Sequence, residues 1–192
     1  MAGEHESVEL VGDATVEHVA KAALIAALTA ALAQVSIPIP STGVPFSLQP
    51  FGAFFAGLLL GPLWGGLAMT LYVLAGIAGA PVYSNGAAGL GYLFGPTGGF
   101  LVGFLVGAVA IGAIAHRGVD PRPLGAVSVP VQIGALAIGL VIFYAVGVPW
   151  MATVLGIPLG RAAATMAPYV PPDAVKLLIA VGIVQSGALV RG

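Results

Sequence analysis

The stretch FGAFFAGLLLGPLWGGLAMTLYVLAGIAGA, residues 51–80, contains no Asp, Glu, Lys or Arg, and it lies inside a charge-free segment that runs from Lys21 to Arg117. A second charge-free segment separates Arg122 from Arg161. Of the 192 residues, 59% are hydrophobic and 7% are charged, and the mean hydropathy is +1.07. A water-soluble fold could not cover its surface with such segments. The sequence therefore predicts an all-α integral membrane protein.

The apolar runs, punctuated by Gly and Pro, predict six transmembrane helices. A membrane-spanning helix needs about 20 mostly apolar residues. The predicted spans are residues 18–36, 50–64, 65–81, 92–116, 124–147 and 173–190. The second and third spans are short and are separated only by the turn-like Gly61-Pro62 and Gly65-Gly66. We predict a solvated acidic tail over residues 1–17 and one transmembrane domain over residues 18–192.

The basic residues predict the orientation in the cell membrane, because cytoplasmic ends carry an excess of Lys and Arg. With both termini cytoplasmic, four basic residues lie inside and two outside. The inner four are Lys21, Arg117, Arg122 and Arg191, and the outer two are Arg161 and Lys176. The acidic tail does not resemble a signal peptide, which begins with basic residues. The net charge of −1 gives no reason to expect nucleic-acid binding.

Three connections rich in Pro, Gly and aromatic residues fall at the outer end in this topology. They are IPIPSTGVPFSLQP at 37–50, APVYSNGAAGLGYLFGPTGGF at 80–100 and VPWMATVLGIPLGRAAATMAPYVPPD at 148–173. The last is long enough to contain a short helix around 159–166. Irregular backbone near the membrane must be satisfied by protein or by a wet cavity. We therefore predict an outward-facing binding pocket covered by these loops.

Asp173 and Lys176 are the main candidates for ligand contacts. An ionisable side chain that enters a bilayer helix is costly and commonly faces the bundle interior. Residues i and i+3 share a helix face, so the two could form a salt-bridged pair over a cavity. Alternatively, Asp173 is the N-terminal cap or the first-turn acid of the helix that starts at Pro171-Pro172, and Lys176 extends to the interface.

Several other residues near the outer loops are candidate ligand contacts, each with a simpler structural role. The amide of Asn85 can donate and accept hydrogen bonds, or it can serve as a turn residue. Gln49 can contact a ligand or satisfy the backbone of a loop. Four aromatic residues could form the wall of an apolar pocket, although aromatics are also common at membrane interfaces. They are Phe46, Tyr83, Tyr92 and Trp150.

The first predicted span carries alanine pairs every four residues, which form one smooth helical flank. The alanines are Ala22, Ala23, Ala26, Ala27, Ala30 and Ala31. Small residues at this spacing allow another backbone to approach closely. The flank could therefore pack inside this protein or dock a separate subunit.

The sequence gives no support for catalysis or for a bound cofactor. Its three histidines are His5, His18 and His116, none beside a serine within a predicted span. With no cysteine and no cluster of acidic residues in the spans, metal ligands are also missing. Neither lysine follows the glycine pattern of a phosphate-binding loop. The chain is therefore expected not to be an enzyme and not to hydrolyse ATP itself.

Four motifs of the sequence are specific in combination: VPFSLQ at 44–49, LYVLAGIAGAPV at 71–82, GPTGGF at 95–100 and PPDAVK at 171–176. Together they resemble the BioY family, the biotin-binding S components of energy-coupling-factor (ECF) transporters. The similarity runs from about residue 20 to near the end of the chain. It departs from the family pattern at Pro172, where the family usually has glycine.

The resemblance implies that the chain captures biotin from outside and delivers it together with a membrane coupling subunit and two cytoplasmic ATPases. It implies that Asp173 and Lys176 contact the vitamin, with help from the loop that contains Asn85. It also implies that the alanine flank faces the coupling subunit. The alternative function is a stand-alone ion-coupled carrier, for which more than one membrane carboxylate and an inverted repeat would be expected.

Overall fold

The computed structural model describes residues 12–187, and most of this part of the chain is helical. These residues form seven α-helices and one small antiparallel sheet of two strands. The helices are α1 Asp13–Gln34, α2 Gln49–Ile77, α3 Leu90–Leu93, α4 Gly98–His116, α5 Val129–Leu155, α6 Leu159–Met166 and α7 Val170–Gln185, and the strands are β1 Ser36–Ile37 and β2 Phe46–Ser47. The short helix predicted around 159–166 is confirmed as α6.

Five helical segments within residues 12–187 are long and apolar enough to cross a membrane. They are Asp13–Gln34, Gln49–Ile77, Gly98–His116, Val129–Leu155 and Leu159–Gln185, the last of which contains α6 and α7. By this criterion the segments number five, whereas the sequence predicted six spans. The difference arises because the predicted span 50–64 and most of the predicted span 65–81 belong to one helical segment, α2, which ends at Ile77. The prediction of a mainly helical chain with long apolar helices is confirmed.

The chain reverses direction inside α2, at Gly61. This residue has φ 75° and ψ −176°, a conformation that favours glycine, and Pro62 follows it. The side chains of Gln49 and Tyr72 lie 2.5 Å apart, although a straight helix would separate them by about 35 Å. The two arms of α2, residues 49–60 and 62–77, therefore pack antiparallel. The predicted turn between the second and third spans lies at Gly61, earlier than the boundary after residue 64.

The helices pack closely because glycines remove side chains where two backbones meet. A Cβ atom added to Gly57 of α2 would lie 2.6 Å from the carbonyl oxygen of Ala108 in α4. A Cβ atom added to Gly103 of α4 would lie 3.0 Å from the Cα of Phe143 in α5. Helix α4 thus lies between α2 and α5, and its glycines determine how near these neighbours come.

Contacts define the two ends of the bundle. At one end, His18 of α1 stacks on Trp64, just after the turn in α2, with ring centroids 5.0 Å apart. At the same turn, His116 Nε2 lies 3.0 Å from the Leu58 carbonyl oxygen, and the Arg122 backbone N–H donates to His116 Nδ1. The opposite end holds the three connections between helices that the sequence predicted to lie together, around residues 35–48, 78–97 and 156–169.

Several predicted helix boundaries were wrong by up to eight residues. Helix α1 begins at Asp13 where residue 18 was predicted, because Asp13 and Glu17 continue the helix and Glu17 pairs with Lys21 at 2.5 Å. The other shifts affect α4, which begins at Gly98, and α5, which covers Val129–Leu155. The predicted span 173–190 begins at Val170, and its last three residues lie outside the described part, as do Arg191 and most of the predicted tail.

Candidate functional site

A narrow cavity lies at the loop-rich end of the bundle, between the loop that precedes α2 and the helices α4, α5 and α7. We call it the inner cavity. It encloses about 50 Å³, enough for a few water molecules. Its lining residues are Val44, Pro45, Phe46, Ser47, Gln49, Pro50, Tyr92, Thr97, Phe100, Leu101, Phe104, Phe143, Tyr144, Met166, Tyr169, Asp173 and Lys176. The walls are therefore mainly apolar and aromatic, with a few polar groups.

Asp173 and Lys176 form a buried ion pair on the wall of the inner cavity. Lys176 Nζ donates to Asp173 Oδ1 at 2.7 Å and to the Ser47 carbonyl oxygen at 2.6 Å. The ammonium also lies 3.9 Å from the centre of the Phe46 ring, a cation–π contact. The side chains of Lys176 and Asp173 are 6% and 11% exposed. The contacts of Lys176 thus balance its charge where water has little access.

The second oxygen of the Asp173 carboxylate is bound by Tyr144. The Tyr144 hydroxyl, which comes from α5, donates to Asp173 Oδ2 at 2.7 Å. Helix α7 begins at Val170, and its first turn shows no side-chain cap hydrogen bond. Asp173 is therefore not the N-cap but the acid of the first turn, where it favours the helix dipole. Lys176 is buried and does not extend to the membrane interface. Sequence reasoning missed Tyr144, whose signal was a hydroxyl inside an apolar run, away from the expected interfacial belt.

The loop before α2 lies over the ion pair. Strands β1 and β2 pair Ser36 with Ser47, which positions the Ser47 carbonyl beside Lys176. The Tyr169 hydroxyl donates to the Val44 carbonyl oxygen at 2.6 Å and lies 2.6 Å from Thr42 Oγ1. Tyr169, which sequence reasoning also missed, therefore fastens this loop to the start of α7.

Gln49 connects the loop before α2 to the loop after it. Its amide Nε2 donates to the Tyr72 hydroxyl at 2.5 Å, and its Oε1 accepts from Ser84 Oγ at 2.7 Å and from Ser47 Oγ at 3.2 Å. The side chain is buried and lines the inner cavity. These partners are side-chain atoms, so the observed contacts do not satisfy loop backbone. The position on the cavity wall is compatible with the predicted ligand contact.

The predicted residues divide into two groups. Five of them line the inner cavity together: Asp173, Lys176, Gln49, Phe46 and Tyr92. The other three, Asn85, Tyr83 and Trp150, lie outside its wall.

These three residues have structural partners instead. Asn85 Oδ1 accepts from Ser36 Oγ at 2.8 Å in a left-handed turn. Trp150 Nε1 donates to the Gly95 carbonyl oxygen at 3.0 Å. Tyr83 is fully buried, and its hydroxyl donates to the Val73 carbonyl oxygen at 2.7 Å. Burial, with a smaller effect of Tyr92, raises the pKa of Tyr83, so this hydroxyl stays protonated.

A second compartment, which we call the vestibule, adjoins the inner cavity. It encloses about 370 Å³ and is partly open to solvent. Its lining residues are Gly43, Pro45, Ser84, Asn85, Ala87, Gly91, Tyr92, Gly95, Pro96 and Thr97. Pro45, Tyr92 and Thr97 line both compartments. The vestibule and the inner cavity therefore share part of their walls.

The alanine flank of α1 is divided between two surfaces. Ala22 is fully buried, and Ala26 and Ala30 pack against the core from partly buried positions. The other three alanines, Ala23, Ala27 and Ala31, are exposed on the outside of the bundle. The exposed half thus provides a stripe of small side chains, beside the exposed Leu24 and Leu28.

The arrangement is suited to binding a small ligand that has both donors and acceptors. The carboxylate oxygens of Asp173 can accept further hydrogen bonds, and Lys176 can exchange its bond to the Ser47 carbonyl for one to a ligand oxygen. Aromatic rings supply apolar walls. Among residues 12–187 there is no group of three or more metal-ligating side chains.

Comparison with known proteins gives consistent similarities. The model of the BioY family matches residues 5–191. The chain is 35% identical over 162 residues to the biotin transporter BioY of Rhizobium etli, covering 82% of this chain and 86% of that one. It is 39% identical to the biotin transporter BioY of Rhodobacter capsulatus, covering 81% and 85%. A probable biotin transporter BioY of Pyrococcus horikoshii is 32% identical and covers 88% and 94%.

The fold also matches a solved structure. The crystal structure of the S-component for biotin from an ECF-type ABC transporter superposes with a TM-score of 0.83, covering 95% of this chain and 96% of that one. The two sequences are 24% identical. This likeness establishes the shared fold.

Proposed function

The chain belongs to the BioY family, and from this premise we propose that it is the biotin-binding S component of an energy-coupling-factor importer. It is a multi-pass membrane transport protein and not an enzyme. The observation that carries the ligand assignment is the buried Asp173–Lys176 pair on a cavity walled by aromatic rings. Biotin has the complementary chemistry, because its ureido ring carries two N–H donors and a carbonyl acceptor beside an apolar thiolane ring.

In the proposed complex, the Asp173 carboxylate accepts a ureido N–H and Lys176 donates to the ureido oxygen. Tyr144 holds the carboxylate from its other oxygen, so the acceptor is oriented before the ligand arrives. Lys176 exchanges the Ser47 carbonyl for the ligand, and Phe46 and Tyr169 pack on the apolar ring. Because the inner cavity encloses about 50 Å³, the loop over residues 38–48 must move outward as biotin enters.

The chain crosses the membrane six times in this proposal. The crossings are α1, the two arms of α2, α4, α5 and α7. An even number places the two termini on the same side, and the excess of Lys and Arg at that end of the bundle assigns it to the cytoplasm. The inner cavity and the vestibule then face outward, where the vitamin is captured.

The energy for transport comes from partners in this proposal. The exposed alanines Ala23, Ala27 and Ala31 form the surface on which a membrane coupling subunit docks, and two cytoplasmic ATPases bind that subunit. A stand-alone ion-coupled carrier is the alternative. It is disfavoured because Asp120 and Asp173 are the only acids beyond Glu17 in the sequence, which leaves one carboxylate for both ligand and ion.

Titration of the purified full-length protein in lipid nanodiscs with biotin tests the ligand assignment. We expect saturable one-to-one binding by calorimetry, and its loss in the Asp173→Asn/Lys176→Met variant. An absence of heat, together with an absence of co-purified biotin, would refute the proposal. Uptake into vesicles separates the two mechanisms: import that follows an ion gradient without the ATPases would favour the carrier.

A further inference from the structure

We propose that the protein recognises biotin by its ring system alone. The vestibule then accepts the tail of biotin whether the tail ends in a charged carboxylate or in a neutral group. Biotin amides and compounds extended through the carboxyl group are then ligands as well. This inference rests on the proposed function and deepens it, because it defines the class of substrates.

The first argument is the charge balance of the inner cavity. Among the described residues that line it, Lys176 is the one cation, and it is bound by Asp173, by the Ser47 carbonyl and by the Phe46 ring. A ligand carboxylate placed at Lys176 would lie beside the Asp173 carboxylate, and the two negative charges would repel each other in a site with little water. A neutral group with both donors and acceptors meets no such repulsion. The ureido ring is therefore the end of biotin that occupies the inner cavity.

The second argument is the position of the tail. With the ureido ring on the ion pair, the tail extends past the shared residues Pro45, Tyr92 and Thr97 into the vestibule. Within the described part of the chain, none of the residues that line the vestibule is Lys, Arg or His. Its opening to solvent leaves the carboxylate hydrated, and its 370 Å³ leaves room for a larger group.

The polar side chains of the vestibule do not distinguish a carboxylate from an amide. The Ser84 hydroxyl donates to Gln49, and the Asn85 side-chain oxygen accepts from Ser36. Their remaining neutral donors can bind the oxygen of either group equally. The one local feature that favours an anion is the start of α4 after Thr97, where backbone N–H groups lie at the positive end of the helix dipole.

Competition against radiolabelled biotin on the full-length protein in nanodiscs tests the inference. The competitors are biotin, its primary amide, its amide with the ε-amino group of lysine, and biotin methylated on a ureido nitrogen. We expect both amides to compete within fivefold of biotin, and the methylated compound to be at least 100-fold weaker. A loss of more than fivefold for the primary amide would overturn the inference and assign the carboxylate to the start of α4. Failure of biotin itself to bind would instead refute the proposed function, and this inference with it.

A pair of glycine variants gives an independent test. A Cβ atom at Gly91 would meet no atom within 4 Å, and the residue is exposed on the vestibule wall, so we expect Gly91→Trp to place bulk in the vestibule and to keep the fold. We expect this variant to weaken the lysine amide at least tenfold more than it weakens biotin. Gly125, at the opposite end of the bundle, has equally open space, and Gly125→Trp should affect neither. Equal effects of Gly91→Trp on the two ligands would contradict a tail in the vestibule.

Discussion

Because Asp173 and Lys176 form a buried ion pair, we expect the effects of replacing them on the free energy of unfolding not to add. Replacing one partner of a buried ion pair leaves the other charge uncompensated and commonly costs about 3–5 kcal/mol. The cavity admits a few waters and Asp173 keeps its hydrogen bond from Tyr144, so we expect a cost at the lower limit of this range. Lys176→Met and Asp173→Asn should each cost about 3 kcal/mol of folding free energy.

The double variant should be more stable than either single variant. With both charges removed, the asparagine introduced at position 173 leaves no uncompensated charge, and its side-chain oxygen can still accept from Tyr144. The methionine introduced at position 176 fills the volume of the lysine stem, and the Ser47 carbonyl loses one donor. The loss of this donor costs about 1 kcal/mol. We expect this to be the whole decrease in the folding free energy of the double variant. Because none of the three variants retains the pair, all three should lose high-affinity biotin binding.

Thermal unfolding in nanodiscs, with and without biotin, measures these effects. For a chain of this size, 1 kcal/mol corresponds to about 2–4 °C in Tm. On this scale the single variants should melt about 6–12 °C lower than the wild type and the double variant about 2–4 °C lower. Unchanged Tm values in the single variants would refute the burial of the pair. A double variant that melts lower than both singles would refute the electrostatic explanation.

Three further predictions follow from individual contacts. Tyr144→Phe removes a hydrogen bond that orients the Asp173 carboxylate before the ligand arrives. A hydrogen bond to a charged group is worth about 1.5–3 kcal/mol, which sets the upper limit, so we expect biotin binding by calorimetry to weaken by up to about 100-fold. Tyr83→Phe, which removes a hydroxyl outside the inner cavity, is the control and should leave affinity unchanged. Asn85→Ala should weaken biotin less than fivefold in the same assay, because its side-chain oxygen is bound by Ser36, and a larger loss would show that it contacts the ligand. Ala27→Leu, on the exposed flank, should leave biotin binding intact and abolish ATP-dependent uptake in reconstituted vesicles. Ala22→Leu, at a fully buried site, should instead lower Tm by overpacking. Normal uptake by the Ala27→Leu variant would exclude the exposed flank as the docking surface.

The class of fold and the ion pair on the wall of the inner cavity were predictable from the residues alone. A chain with almost no charge between Lys21 and Arg161 has no state in water that hides its apolar surface, so a membrane bundle was the only outcome. An aspartate and a lysine three residues apart at the start of a helix share one face for geometric reasons. Their pairing was therefore predictable from spacing.

Helix boundaries were less predictable, because apolar length alone does not show where a helix turns. The reversal at Gly61 depends on a positive φ and on the close packing of Gly65 against Ala56. From the sequence, Gly65-Gly66 was as suitable for a turn as Gly61-Pro62. Packing between the two arms of α2 explains why the turn lies at Gly61-Pro62.

The contacts between distant parts of the chain at the inner cavity were not predictable from the sequence. Tyr144 reaches Asp173 across 29 positions of sequence, and the Ser47 carbonyl reaches Lys176 across 129. The same packing places Tyr83 and Trp150 outside the inner cavity, where each donates a hydrogen bond to a backbone carbonyl oxygen. Composition and periodicity are local properties of the chain, so they predict whether a residue is in an apolar environment and which face of its helix it occupies. The contacts between two helices depend on how all the helices pack together. Local sequence alone therefore does not predict them.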